Sequence, residues 1–460
     1  MSTVYTFQTF QQEQAAGRQA EFVRSFVQQH CGSAPYKEAA SADLYDANRN
    51  PGAEVFSRAY AQMLQRLSKN TRPNIPRPDM VKSNLFRRLN KQRATYSLGN
   101  GVTFADDVDK DRLGQDFDEQ VQKAGYFSLI HGESFGFWNN DHLVVFKLTE
   151  FAPLYDEKSG LLRAGVRFWR LNPDTDMHYI LYEEDGFTEY TEGRINRRME
   201  ETTPKQAYKS VTVTTPGGGL ESVEGQNYGS LPIVPLWGSD LHQSTLVGLK
   251  AYIDNTDLVM SGFCNDLQDC AQIYWLCENF NGMTDDELQE HLVKLNLYHI
   301  AGADTSEGGK ITPYTTEVPV TARSALLELL HTRVYEDFGG LDVHCVSADS
   351  TNDHLDAAYE PLNHNADDFE AQLKPFIRQI CALAGFEDAS PTFTRSKITN
   401  TAEQVSMVIS EAPIIGNDMA IDLLPNLTPE QKEQAKAALM AESAERETVD
   451  DEEDDLDEQT

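Results

Sequence analysis

The sequence predicts an α+β fold, and three observations carry that reading. Short alternations of apolar and polar residues, punctuated by turn signals, fill residues 126–234. Helix-period stretches lie on both sides of them. From Leu246 onward a single apolar stripe runs at alternating steps of three and four, longer than a helix inside a compact domain needs. The 460 residues correspond to about three folded units at roughly 150 residues each.

Taken in order, Gln11 to His30 reads as a helix, then Gly32-Ser-Ala-Pro and Asn48-Arg-Asn-Pro-Gly read as loops. A second helix is expected from Ala53 to Leu67, closed by the breaker Asn74-Ile-Pro-Arg-Pro. The stretch from Lys82 to Gly101 carries five bases (Lys82, Arg87, Arg88, Lys91, Arg93) and no acid. Two readings stay open for it: a helix whose basic face pairs with acidic neighbours, or a contact with phosphate or an acidic partner. The strands expected next include Ser134-Phe-Gly-Phe-Trp, His142-Leu-Val-Val-Phe, Gly165-Val-Arg-Phe-Trp, His178-Tyr-Ile-Leu-Tyr and Ser210-Val-Thr-Val-Thr. Trp138-Asn-Asn-Asp, Lys158-Ser-Gly, Glu184-Asp-Gly and Pro216-Gly-Gly-Gly supply the turns between them.

The stripe itself is Leu246, Leu249, Ile253, Thr256, Met260, Phe263, Leu267, Cys270, Tyr274 and Cys277, with Thr256 its one polar member. About 35 helical residues would make a rod of roughly 50 Å. Gly248 and Gly262 weaken it locally. A short helix from Thr284 to Leu295 follows, then Tyr298-His-Ile-Ala-Gly and the loop Glu307-Gly-Gly-Lys. Helices are expected from Thr321 to Phe338, stopped by Gly339-Gly340, and from Asp356 to Leu383, with Pro375 placing a kink. A further helix starts near Ile398-Thr-Asn-Thr-Ala-Glu, and a last one opens with Thr428 as cap and Pro429 in its first position.

Composition bounds the function. The 73 acids and 39 bases leave a net charge of −34. Residues 442–460 hold eleven acids and one base, Arg446, a net of −10, which leaves about −24 for the rest. Such a surface repels phosphate, which excludes a DNA clamp of the basic-patch kind. No run of 18 apolar residues exists to cross a membrane, and the N-terminus lacks the pattern of a signal peptide, so no membrane role is expected. The six cysteines show no zinc-type spacing and read as thiols in a reducing compartment. GxGxxG, GxxxxGK(S/T), HExxH and GxSxG motifs are all absent, so neither enzyme chemistry nor a cofactor is expected. The one cluster with ligand-like residues is His344, Cys345, Asp349, Asp353, His354 and Asp356. It reads either as a polar loop between helices or as a metal site mixing hard and soft donors.

Four segments, in order, carry a family resemblance. Lys82 to Phe104 ends in Tyr96-Ser-Leu-Gly-Asn-Gly-Val-Thr-Phe; Asn227-Tyr-Gly-Ser-Leu-Pro-Ile-Val-Pro-Leu-Trp is a strand with a proline on each side of its apolar pair. Leu249 to Asp266 contains Ile253-Asp254, Asp257, Ser261 and Asn265-Asp266 at fixed spacing, and Asp349 to Phe376 runs from a loop into a long helix. Together they resemble the portal proteins of tailed bacteriophages, in the group typified by siphophages of Gram-positive hosts. The departure is Ser350-Thr-Asn-Asp, where a glycine-serine stretch would be expected.

The resemblance implies a ring of twelve subunits, or thirteen when assembled outside the capsid, at one vertex of the virion after assembly in the host cytoplasm. Each subunit would have a wing (1–240 with 342–400), a stem (241–278 and 321–341), a clip (279–320), a helical crown (401–441) and the acidic tail 442–460. Double-stranded DNA would pass through the channel without sequence specificity. The terminase large subunit and then head-tail adaptor proteins would dock on the ring, which would also meet the major capsid and scaffold proteins. The implied tunnel loop includes Ser347, Asp349, Ser350, Thr351, Asn352, Asp353 and His354. Arg323, His331 and Arg333 are candidate channel residues, equally readable as partners of Glu328 or Glu336 in salt bridges between subunits; Leu246, Leu249, Ile253, Met260, Phe263 and Leu267 form the packing seam; Glu307, Lys310 and Tyr314 are candidate clip contacts. Two other readings are a metal-dependent hydrolase using residues 344–356 and a non-channel capsid scaffold or adaptor. The long rod disfavours the first, and the β-rich middle disfavours the second.

Overall fold

The computed structural model of the chain describes residues 5–66, 77–104, 108–214, 220–270, 274–278, 286, 310–314, 318–342, 351–397, 401–425, 428 and 430–439. The N-terminal helical region is three helices: α1 (Phe7–Ala15), α2 (Gln19–Gly32) and α3 (Ala34–Asp46). The single helix expected over Gln11 to His30 is broken at Gly17, whose φ of 70° suits glycine alone. Gly32-Ser-Ala-Pro is not a loop. Ser33 Oγ accepts the Tyr36 amide at 3.3 Å and Pro35 sits in the first turn, so these residues start a helix. Next come α4 (Glu54–Arg66), α5 (Leu85–Leu98), β1 (Val102–Phe104) and α6 (Phe117–His131). Residues from Tyr126 to His131, expected as the start of the β-rich region, belong to α6. Gly132 closes that helix in the left-handed conformation, φ 86°.

The strands begin at β2 (Glu133–Asn139) and β3 (His142–Lys147), joined through Asn140 at φ 62°. With β11 (Ile233–Trp237) they form an antiparallel sheet of order β11-β2-β3. A five-stranded meander follows: β4 (Phe151–Tyr155), β5 (Leu162–Trp169), β6 (Met177–Glu183), β7 (Gly186–Glu192) and β8 (Met199–Gln206). The hairpin β9 (Lys209–Thr214) and β10 (Leu220–Gln226) completes the region. Phe135, Phe137, Phe146, Phe151 and Tyr182 pack the two larger sheets together, while α1 and α2 cover the meander through Phe10, Phe22, Val23 and Phe26.

Beyond the sheets lie α7 (Leu246–Cys270), β12 (Tyr274–Glu278), β13 (Lys310–Tyr314), α8 (Val320–Phe338) and α9 (Asn352–Leu383). The long helix therefore stops short of its predicted end. Tyr274 and Cys277 lie on β12, paired with Tyr314 and Ile311 of β13. The reason is composition: Tyr274-Trp-Leu-Cys is apolar at every position, so it satisfies either period, and its aromatic content favours a strand. The short helix expected over Thr284 to Leu295 and the loop at Glu307 lie outside the described residues. Helix α8 ends at Phe338, with Gly339 at φ 64° as its cap.

Helix α9 spans 32 residues and buries Leu362, Ala366, Phe369, Leu373, Phe376, Ile377 and Ile380, the positions its periodicity marks. It starts before Asp356, because Thr351 Oγ1 caps it by accepting the His354 amide at 3.4 Å. Pro361 and Pro375 both fall on its exposed face. Against α9 pack α5, α6 and the β11-β2-β3 sheet, forming the largest core. Strand β14 (Pro391–Phe393) returns to pair with β1. Helices α10 (Thr401–Ile415) and α11 (Asn417–Leu423) follow, and the chain is helical again over 430–439. Thr428 caps that last segment as expected: its Oγ1 accepts the Gln431 amide at 3.3 Å, and the Gln431 side chain accepts the Thr428 amide at 3.0 Å.

Candidate functional site

The residues of the long stripe place α7 against α8 as an antiparallel hairpin. At one end Asp266 on α7 pairs with Arg323 on α8, and the Arg323 guanidinium lies 5.8 Å from the Phe263 ring centre. At the other end the Tyr252 hydroxyl meets Asp337, while Leu249 and Ile253 pack with Val334 and Phe338. Burial along the seam is graded. Leu246, Leu249 and Ile253 are buried, Met260 and Phe263 half-buried, and Leu267 is 49 % exposed. The N-terminal half of α7 is thus rooted in the core with Tyr45, Phe86 and Leu89, and the other half emerges from it.

A second face of α7 is polar and fully employed. Asp257, Ser261 and Asn265 stand one turn apart and hold an extended strap, residues 79–83, by its main chain. Asp257 Oδ1 accepts the Ser83 amide at 2.8 Å, Ser261 Oγ accepts the Val81 amide at 2.9 Å, and Asn265 Oδ1 accepts the Asp79 amide at 2.8 Å. Asn265 Nδ2 also donates to the Asp79 carbonyl at 3.0 Å, and Gln268 reaches the Asp79 carboxylate. The periods match: two extended residues advance about 6.6 Å, and four helical residues about 6 Å. Asp257 is 1 % exposed and further accepts Asn50 Nδ2 at 2.7 Å. Burial raises its pKa, and the bonds from Asn50 and Ser83 oppose that rise. Three residues earlier, Asp254 accepts the Tyr45 hydroxyl. Gly262 lies against Phe56 of α4, and α7 runs unbroken through it.

The other sequence-derived residues fall as follows. His331 lies 3.4 Å from Asp342, and Arg333 pairs with Glu336 one turn away at 2.8 Å. With Arg323 held by Asp266, the three α8 residues meet partners within the subunit. Glu328, the other expected partner, instead accepts Thr332 Oγ1 through its carbonyl. Of the loop residues, Ser347, Asp349 and Ser350 lie outside the described residues, as do His344 and Cys345. Thr351 is the α9 cap, and Asn352, Asp353 and His354 form its first turn rather than a loop. Lys310 and Tyr314 are the ends of β13, opposite Glu278 and Tyr274; Glu307 lies outside the described residues. Three of the five bases are taken up internally: Arg87 meets Asp46 at 3.4 Å, Arg88 donates to the Tyr335 hydroxyl at 2.6 Å, and Arg93, 7 % exposed, donates to the Asn365 carbonyl at 3.2 Å. That favours the paired-helix reading of this stretch. Sequence reasoning found the polar positions of α7 but missed what they hold. The strap lies over 170 positions away in the chain and has no signature of its own.

A β-rich body, a helix pair rooted in it and a long covering helix organise the described residues around the α7–α8 hairpin. The chain matches the family described as "Phage portal protein, SPP1 Gp6-like" over residues 46–447, and it belongs to that family. It is also similar to the "Portal protein" of Clostridium phage phiCD119, 30 % identical over 220 residues, 45 % of this chain and 48 % of that protein. The match therefore spans about half the length of that relative.

Proposed function

We propose that this chain is one subunit of the ring through which double-stranded DNA enters and leaves a phage capsid, and that it works as a structural channel without catalysis. In this reading residues 1–240 and 342–400 form the wing, α7 and α8 the stem, the segment between them with β12 and β13 the clip, and 401–441 the crown. The clip receives the terminase large subunit and later head-tail adaptors, the wing meets the capsid and scaffold proteins, and the ring belongs to the virion. An acidic wall suits a conduit, since DNA held by many lysines would release counterions, bind and stall.

The observation that carries the ring is the apolar surface left on the hairpin. Val247, Leu267, Val320, Leu326 and Leu329 are each 42–54 % exposed on helices whose other faces are already packed. Neighbouring copies arranged around an axis would cover apolar side chains exposed on different sides of the helix pair. Size-exclusion chromatography with light scattering, followed by negative-stain imaging, tests this. Twelve or thirteen copies of the 51.6 kDa chain give about 620 or 670 kDa and rings with a central hole. Leu326→Glu with Leu329→Glu should release subunits. A compact monomer at every concentration, unchanged by those substitutions, would overturn the assignment.

A further inference from the structure

Among the described residues, the fold brings together a concentration of arginine from three elements of the chain, part of it unpaired. Arg24 on α2, Arg170 in the loop after β5, and Arg194 and Arg197 in the loop after β7 line a pocket of about 470 Å³ at one end of the meander, with Glu192 as its one acid. The internal claims on these arginines are incomplete. Arg194 pairs with Asp174 at 2.8 Å. Arg24 lies 3.2 Å from Glu192, whose other oxygen accepts the Tyr179 hydroxyl at 2.8 Å, yet Arg24 Nε is buried without a hydrogen-bond partner. Among the described residues, the Arg170 and Arg197 guanidiniums make no ion pair or side-chain hydrogen bond. Two apolar side chains stand on the same loops, Leu171 at 75 % and Ile195 at 98 % exposed.

We propose that this pocket binds carboxylates, and that its occupant is the acidic segment 442–460 of this chain. Guanidinium forks match planar carboxylates in a bidentate manner. Phosphate would satisfy the charge as well, but nucleic acid offers nothing to Leu171 and Ile195. The segment offers both: eleven acids against one base, with Leu456 set in Asp454-Asp455-Leu456-Asp457-Glu458. The remainder of the chain, at about −24, repels the segment, and the other concentration of bases, on α5, is largely taken up internally. Twenty-one residues follow 439, which span at most about 70 Å when extended, and that length sets the reach the proposal requires. The proposal stands on charge and geometry alone and is independent of the ring.

The test uses the full-length chain with the photo-crosslinker benzoylphenylalanine in place of Leu456. Irradiation should join position 456 to residues 170–173 or 193–198, as mapped by mass spectrometry. The yield should fall at least fivefold in Arg170→Glu with Arg197→Glu, and likewise between about 50 and 500 mM NaCl as screening grows. Both arginines are exposed, so an unchanged melting curve separates loss of contact from loss of fold. A labelled 442–460 peptide should bind the full-length chain saturably, at concentrations high enough to displace the chain's own segment. Ile195→Ser should weaken that binding severalfold. Crosslinks mapping elsewhere, or a yield indifferent to the double charge reversal, overturn the proposal. So does a short DNA duplex that displaces the peptide at a lower concentration of charge than the peptide itself, which would assign the pocket to phosphate.

Discussion

Replacing Asp257 by alanine should detach the strap from α7, and the cost follows from the bonds it removes. Asp257 accepts two donors, the Ser83 amide at 2.8 Å and Asn50 Nδ2 at 2.7 Å. The Ser83 amide has no other acceptor among the described residues, whereas Asn50 Nδ2 keeps the Ser83 carbonyl at 2.8 Å. A buried donor left unpaired costs about 1–3 kcal/mol, and the half-satisfied amide costs less. Removing a desolvated carboxylate gives part of this back. The expected loss is therefore about 2–3 kcal/mol in urea unfolding of the full-length chain. Hydrogen exchange should quicken at the Val81 and Ser83 amides in particular. Ser261→Ala, which removes the acceptor of the Val81 amide together with the hydroxyl's bond to the Asp257 carbonyl, should cost about 1 kcal/mol. The register supplies a sharper control. The Val81 amide is in the ladder, while the Met80 amide makes no hydrogen bond among the described residues, so Val81→Pro should release the strap and Met80→Pro should spare it. Equal tolerance of the two prolines, or a loss below about 0.5 kcal/mol for Asp257→Ala, would refute the idea that the polar face of α7 reads the strap by its main chain.

Two further expectations concern the sheets. Burial lifts the Glu133 carboxyl from its ordinary 4.5 to about 8, against the opposing hydrogen bond from Trp237, and the Tyr155 hydroxyl also donates to it. Because the folded value lies above the unfolded one, the protonated group's contribution is complete below about 4.5 and is lost as pH rises toward 8. Glu133→Gln, neutral throughout, should therefore gain in melting temperature relative to the native chain between pH 5 and 8.5; parallel curves would contradict the assigned burial. At Gly165, in the middle of β5, a Cβ would stand 2.0 Å from the fully buried Phe151 ring. Gly165→Ala should cost about 3 kcal/mol by overpacking, and Phe151→Leu should restore much of it; additive losses in the double variant would mean the two do not meet.

Periodicity made the helices of this chain legible where one face is apolar and the other polar. The α9 core positions from Leu362 to Ile380 were readable for that reason, as was the hairpin seam from Leu246 to Ile253. It failed where every residue is apolar, as at Tyr274 to Cys277, since a strand and a helix are then equally satisfied. It also failed at α6, whose buried Gly125, Ser128 and His131 dilute the stripe of a helix enclosed on most sides. Ser33 and Pro35 show a different limit: the residues that end one helix and begin the next are also those that build loops. The strap and the arginine pocket lay beyond reading altogether. The hydrogen bonds of the strap use its backbone, which carries no sequence signal, and the pocket exists only once α2 and two loops meet.

The division of α7 into faces explains why its exposed half remains a helix at all. At about 100° per residue, the seam through Leu246 and Leu267 and the ladder through Asp257 and Asn265 lie roughly a third of a turn apart. The seam anchors the first half by burial against Val334 and Phe338. Past Ile253 the burial of the apolar seam fades, but the ladder continues, and Asn265 and Gln268 grip Asp79 where Leu267 is already half in solvent. The Asp266–Arg323 pair closes the same end across the hairpin. Polar contacts therefore take over as the apolar ones thin out. They hold the helix without using the hydrophobic surface on Leu267, Leu326 and Leu329. Had burial within the subunit fixed the whole rod, no exposed apolar side chains would remain for another copy in the proposed ring. Had nothing fixed it, each contact between copies would first have to order a helix. A strap bound through its backbone would meet both requirements of the proposed ring.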